Sequence, residues 1–296
     1  MLEFHAVEAQ DGQWAVPLLQ QGGYDTCEYS FTDVFMWSAH YGAQIARWQD
    51  FVTVRSRVGD TCQYLFPAGL GERKAMVQQI LQDAQQRGCR AMFYGTPGPA
   101  WQFLQEEFPG VFEAIDQRDH YDYIYRAQDL AELPGKKFQK KRNHVSRFLR
   151  TNPNWQFQLI GPENLEQVRE FSEQWYAQSG KDPDSGIEEE HKAVNRAFDH
   201  YETLGLKGGF LTSEGQIVAY SFGTPINSRV FDTQVEKALY TVDGAYAMIN
   251  REMARNCCSS FEYINREDDV GDEGLRKAKL SYNPELLAEK WLVKQR

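Results

Sequence analysis

The chain has 296 residues and a net charge of −10, with 42% hydrophobic and 14% aromatic side chains. That is ample apolar material for one large folded domain or two of ordinary size, on a body too acidic for a general nucleic-acid coat. No uncharged run reaches the roughly 18–20 residues of a membrane span, and the first residues lack the basic flank and apolar block of a signal peptide.

In chain order, β-type runs are expected at 44–48, 51–55, 63–66, 91–94 and 121–125, with helical patterns at 72–87 and 99–108. Pro134-Gly135 punctuates the end of this half. Phe138, Val145, Phe148 and Leu149 then recur at helical spacing and predict one apolar stripe. Beyond Pro153 come a strand at 155–160, a helix at 163–178 and a second helix from Ile187. Ser185 and Glu188 stand at capping-box spacing for that second start. Strands at 208–212, 216–224 and 230–237 follow, then a helix from Gly244, a strand at 261–264, a short helix at 274–280 and a closing run at 286–293. The pattern predicts an α+β protein: an N-terminal half (1–135), a basic connecting helix (136–152) and a C-terminal half (153–296).

Charge is uneven along the chain. Between Leu133 and Pro162 there is no acid, and Lys136, Lys137, Lys140, Lys141, Arg142, Arg147 and Arg150 supply seven bases. One local basic surface is therefore expected, either a solvated helix face or an anion-binding surface with Lys140, Lys141 and Arg142 as its RNA-binding candidates. The five cysteines lack CxxC spacing and read as reduced thiols of a cytoplasmic protein, with Cys89 as buried core. There is no HExxH, no GxSxG elbow and no GxxxxGK[ST] loop, and the six histidines are scattered, so no metal centre is expected. His120 is read as a structural histidine rather than a general base.

Several motifs run together: Cys27-Glu28-Tyr29-Ser30-Phe31 with Trp37, Tyr64 to Gly69, Phe93-Tyr94-Gly95, Tyr121 to Tyr125, and Lys141-Arg142-Asn143-His144. Val235-Glu236-Lys237, Gly244 to Glu252, Tyr263 to Asp269 and Gly274 to Tyr282 complete the set. In these the chain resembles bacterial proteins related to the C-terminal domain of phosphatidylglycerol lysyltransferase. The resemblance implies two tandem GNAT-like (acyl-CoA N-acyltransferase) domains with mixed sheets flanked by helices, as in the Fem-family transferases. It also implies transfer of an aminoacyl group from a charged tRNA to an amine or hydroxyl acceptor, a small molecule or peptide, and no resident cofactor is expected. The lysyltransferases proper carry a transmembrane flippase region, and the departure of this sequence from that pattern sets the expectation of no stable membrane insertion and counts against a phospholipid acceptor. Acyl-CoA is the alternative donor, and a non-catalytic ligand-binding module the alternative role. Of the acyl-CoA loop only Gly244 remains, and Asp243 is expected to cap the following helix and repel a pyrophosphate.

Direct transfer needs a proton acceptor at a strand end, for which Glu236, Glu267 and Asp268 are the candidates. Arg276 and Lys279, three apart on one helix face, would stabilise an oxyanion or a donor phosphate. Lys237, Gly244, Tyr246, Asn250, Asn265 and Arg266 would shape the pocket. The competing expectation is that these charges form a buried ion-pair network locking the last helix to the sheet.

Overall fold

A computed structural model describes residues 2–58, 61–179 and 186–296. The first half runs β1 (His5–Ala6), α1 (Gly12–Gly22), α2 (Phe31–Tyr41), β2 (Gln44–Trp48), β3 (Phe51–Val58), β4 (Thr61–Leu65), β5 (Ala68–Gly69), α3 (Arg73–Gln86), β6 (Ala91–Pro97), α4 (Gly98–Glu107), β7 (Phe112–Asp116) and β8 (Asp122–Arg126). Two helices, α5 (Ala127–Glu132) and α6 (Gln139–Thr151), bridge to β9 (Gln156–Leu159). The second half continues with α7 (Leu165–Ser179), α8 (Ile187–Asp199), β10 (Lys207–Ser213), β11 (Gln216–Pro225), β12 (Val230–Ala238), α9 (Ala245–Asn256), β13 (Tyr263–Asn265), α10 (Glu273–Leu280), β14 (Leu286–Ala288) and β15 (Lys290–Gln295).

The protein is α+β, and its two mixed sheets repeat one plan. One is ordered β1-β2-β3-β4-β6-β15-β7 and the other β9-β10-β11-β12-β13-β8-β14. Each contains one parallel pair, β4 with β6 and β12 with β13, and a helix (α3 or α9) crosses between its members. The sixth place in each order is filled from the other half of the sequence: β15 lies between β6 and β7, and β8 between β13 and β14. Sheet membership therefore does not follow a division at Gly135. The hydrophobic patterns show each run separately, but pairing partners across more than a hundred residues leave no local mark on them.

Helices α1, α2 and α5 and strand β7 lie outside the elements expected from the pattern, although Ala15, Leu18 and Leu19 of α1 do recur at helical spacing. Helix α1 has Pro17 inside it, and α2 buries seven of its eleven residues, so no polar face marks it. Phe138, Val145 and Phe148 anchor α6 as its spacing predicts, whereas Leu149 is 38% exposed and lies off the stripe. Ser185, half of the expected capping box, lies outside the described residues. Cys62 and Cys89 are joined by a disulfide, so the expectation of five reduced thiols fails at this pair. The parallel pairing of β4 and β6, Cys62 opposite Ala91, brings the turn carrying Cys89 beside Cys62.

Candidate functional site

The site forms where two parallel strands part. Strand β12 pairs with β13 only from Val230 to Asp232, opposite Tyr263 to Asn265. It then continues along β11 to Ala238 while the chain leaves β13. Residues 266–271 turn through the resulting fork in a strained path, with Glu267 at φ 56° and Val270 at φ 44°. Left-handed conformations cost a non-glycine residue about 1 kcal/mol or more. Hydrogen bonds hold the loop there: the Glu267 N–H donates to Asn265 Oδ1 at 2.7 Å, and Lys279 Nζ donates to the carbonyl of Arg266 at 2.5 Å and to that of Asp268.

On one side of the fork, Arg266 Nη2 donates to Glu236 Oε1 at 2.8 Å, and Asn250 Nδ2 donates to Glu236 Oε2 at 3.1 Å. The Arg266 guanidinium faces Tyr282, 4.8 Å from its ring centre, and Lys141 Nζ sits 3.6 Å over the same ring. Arg266 Nη1 and Asn250 Oδ1 are buried without a partner. Burial, then the positive charge of Arg266, lowers the Lys141 amine to about 8. Two cations thus share one carboxylate, a balance that favours an anion.

The other side is acidic and lies between the halves. Lys290 Nζ, fully buried, meets Asp122 Oδ1 at 2.7 Å and Glu28 Oε1 at 2.8 Å. Asp122 Oδ2 also accepts the Cys27 N–H and the Asn265 amide, both at 2.8 Å. Beside them stand Asp33, Asp232 and Glu267. Burial pushes all three carboxyls up, Asp232 to about 7, and neighbouring carboxylates push Asp33 and Glu267 further. Nearer the surface, His120 Nδ1 lies 2.9 Å from Asp268 Oδ2, with half of the imidazole side chain exposed. The Asp268 hydrogen bond raises His120, and burial opposes it. Burial raises Asp268 in turn, but His120 and the Lys290 and Lys279 charges outweigh it and hold the carboxyl below its usual range. Tyr41, 54% exposed, lies within electrostatic reach of Asp268.

The expected site residues therefore divide. Glu236, Asn250, Asn265, Arg266, Glu267 and Asp268 come together at the fork, and Lys141 joins them. Arg276 does not: its guanidinium holds the fully buried Asp269 (2.6 and 2.9 Å) and Asp119 (2.7 Å). Lys279 lies behind the loop as its clamp, buried and with its pKa lowered by that burial. Both fit the structural network rather than an open anion site. Lys237 is engaged elsewhere, with Glu190 at 2.7 Å and over the Trp175 ring. Tyr246 packs half-buried against Tyr240 at the start of α9.

Asp243 does not cap α9; it pairs with Arg147 at 2.6 Å, and Gly244 occupies the cap position at φ 84°. A Cβ there would come within 2.3 Å of the His144 carbonyl oxygen, so α6 lies directly on the start of α9. Arg142 Nη1 donates to the carbonyls of Leu133 (2.5 Å) and Gly135 (2.6 Å), which ties down the turn before α6. Lys140 is exposed, as are Lys136 and Arg150.

Sequence reasoning missed Asp33, Asp122, Asp232 and Lys290. Their signal is a charge inside an otherwise apolar run, as in Val230-Phe231-Asp232 and Tyr121-Asp122-Tyr123. Two surface recesses, of about 390 and 500 Å³, are lined by residues around Glu72 and around Gln82 and contain none of these side chains.

The sequence model of the family described as phosphatidylglycerol lysyltransferase, C-terminal, matches residues 20–294. The chain belongs to this family. A solved structure of a conserved protein from Bacteroides thetaiotaomicron is 36% identical, with a TM-score of 0.96 over the whole of both chains. The structure of L-PGS from Bacillus licheniformis gives a TM-score of 0.68 at 16% identity, covering 99% of this chain and 94% of that one. FemX gives 0.63 at 10% identity, covering 98% and 96%. These last two likenesses are of fold, and they agree with the two mixed sheets of the α+β plan. A curated protein of Mycoplasmoides gallisepticum is 27% identical over 174 residues, and the match spans 58% of this chain and about half of that relative, 56% of its length. No described helix is long and apolar enough to cross a membrane.

Proposed function

We propose that this protein transfers an aminoacyl group from a charged tRNA to an amine or hydroxyl acceptor, with the His120–Asp268 pair taking the acceptor's proton. Asp268 engages Nδ1, which leaves Nε2 as the second ring nitrogen of a half-exposed imidazole. The acceptor nitrogen or oxygen attacks the aminoacyl ester carbonyl as its proton passes to Nε2. The ester C–O bond then breaks, and the tRNA ribose oxygen leaves with a proton. Arg266 and Lys141 supply fixed positive charge at the fork for the donor's anionic groups. Glu236, named with Glu267 and Asp268 as a proton acceptor from sequence, here orients Arg266 instead.

The observation that carries the choice of donor is the sealed start of α9. An acyl-CoA pyrophosphate needs free N–H groups at that helix end. Here α6 lies on Gly244, and Ala245, Ala247 and Met248 of the first turn are buried. The exposed bases of α6 and the turn before it favour a polyanionic donor in its place.

The test supplies tRNA charged with labelled amino acids, and separately labelled acetyl-CoA, to a panel of amines, peptides and phosphatidylglycerol vesicles. Label is expected to leave the tRNA only, and His120→Ala should slow transfer by about 10²–10⁴-fold. Transfer from acetyl-CoA alone would overturn the donor. Tight binding of either donor without turnover would make the protein a binding module.

A further inference from the structure

We propose that Cys27, Asp33 and Glu267 form a binding site for a divalent transition-metal ion, with Zn²⁺ the best fit. The inference is independent of the transfer reaction. One ligand atom from each residue, the Cys27 sulfur and a carboxylate oxygen from Asp33 and from Glu267, lies within 4.8 Å of the other two. Bond lengths of about 2.0–2.3 Å to zinc set ligand atoms roughly 3.3–3.8 Å apart in a tetrahedron. Side-chain adjustments of an ångström or less would therefore close the set on an ion.

Charge points the same way. Five carboxyls gather here; the Lys290 ammonium is committed to two of them, Glu28 and Asp122, and also donates to the Cys27 sulfur at 3.3 Å, a contact that the ion would have to replace. Lys279 is committed to backbone carbonyls. Among the described residues, Asp33, Asp232 and Glu267 form no ion pair. Asp33 Oδ2 and Asp232 Oδ1 are buried, on residues 8% and 0% exposed, and no N–H or O–H donor reaches them, so in the metal-free protein only a proton shared between these two carboxyls can satisfy them. Carboxylate oxygens left without a donor in the interior are costly, and a cation or shared protons must offset them.

The donor set selects the ion. One thiolate with two carboxylates suits a borderline metal such as Zn²⁺ rather than Mg²⁺ or Ca²⁺, which take oxygen alone. Asp232 sits within hydrogen-bonding reach of Asp33 and accepts the Gln234 amide at 2.9 Å, so it is placed to orient a ligand from behind. Three ligands leave one tetrahedral position open. Cys27 and Asp33 belong to the first half and Glu267 to the second, so the ion would clamp the two halves together. Binding would release to solvent the Cys27 thiol proton and the protons that burial holds on the Asp33 and Glu267 carboxyls, and affinity should rise with pH.

The test is equilibrium dialysis of chelator-treated full-length protein against Zn²⁺, read by elemental analysis. One Zn²⁺ per chain is expected, with Cys27→Ser and Asp33→Asn each weakening it by about 100-fold. Cys257→Ser/Cys258→Ser should leave it unchanged. Co²⁺ should give a thiolate charge-transfer band that Cys27→Ser removes. Asp33→Asn relieves carboxylate repulsion, so its metal-free melting temperature should not fall, which separates lost ligation from misfolding. Zinc bound equally by wild type and both ligand variants would overturn the site. So would an absence of zinc binding by the wild type, and weaker binding of a free amino-acid amide in Asp33→Asn would then assign the cluster to an ammonium group.

Discussion

Asp122 opens β8 and Lys290 opens β15, and their side chains meet at 2.7 Å with neither exposed. These are the two strands exchanged between the halves, so a single buried ion pair joins both exchanges. Burial works to lower the Lys290 amine, but Asp122, Cys27 and Glu28 raise it well above its usual value. A raised lysine contributes stability that is fully present below the unfolded value of about 10.4 and lost only as pH rises through the folded value. No change from this group is therefore expected between pH 6 and 9.

Lys290→Met should destabilise the protein by about 3–5 kcal/mol, because it leaves Asp122 and Glu28 buried and uncompensated. Adding Asp122→Asn should cost less than the sum of the two single changes, as expected for groups in contact. Urea unfolding of the three variants measures both quantities. Additive losses would mean the two side chains do not act as a pair.

Arg276 sits against the fully buried Asp269, to which Tyr123 also donates its hydroxyl at 2.5 Å. Burial raises Asp269, but Arg276 and Tyr123 outweigh it and hold the carboxyl well below its usual range. A depressed carboxyl gives stability that is present above the unfolded value of about 3.9 and is lost as pH falls through the folded one. Arg276→Ala should lower stability, measured as a fall in the urea midpoint, because it leaves the buried Asp269 carboxylate without its cation. Donor binding per folded molecule should stay the same. Weaker binding at unchanged melting temperature would return Arg276 to the ligand site.

The contrast between Arg276 and Arg266 shows how far the sequence could be read. Both lie in charged clusters after β-type runs, and spacing alone ranks them equally. What separates them is the fork between β12 and β13, which depends on the pairing of Asp232 with Asn265. Strand and helix periodicity showed most elements and the family resemblance showed the tandem plan. Neither could show that β8 and β15 change places, and so neither could bring Asp122 to Lys290 or Asp33 to Glu267. The charges buried within apolar runs were the one local hint. Asp243 illustrates the opposite failure: it has ideal capping chemistry, but Arg147 from α6 takes its carboxylate.

The basic segment also divides by geometry. Lys136, Lys140 and Arg150 are exposed, whereas Arg142 is occupied by the carbonyls of Leu133 and Gly135. Replacing the three exposed bases by Gln should lower the slope of log K against log salt for tRNA binding by about two to three units, at 0.7–0.9 per phosphate contact. Arg142→Gln should instead reduce stability, by unsatisfying two carbonyls, and leave the slope unchanged. Anisotropy titrations at several salt concentrations distinguish the two. An unchanged slope in the triple variant would remove α6 from the tRNA-binding surface.

The pH profile tests His120 as proton acceptor. The Asp268 hydrogen bond favours the charged imidazole, with Glu28 adding to it and burial and Lys290 opposing, and the balance lies above the ordinary histidine value. A base works only when unprotonated, so kcat/KM for aminoacyl transfer should rise with pH through a midpoint above about 6.5. Asp268→Asn removes the raising partner and should move that midpoint to lower pH while slowing the plateau rate, since the imidazole loses its orientation. His120→Gln should abolish the transition and leave tRNA affinity unaltered. A midpoint that stays in place in Asp268→Asn would assign the titration to another group in the fork, with the buried Asp232 carboxyl, itself raised to about 7, the nearest competitor.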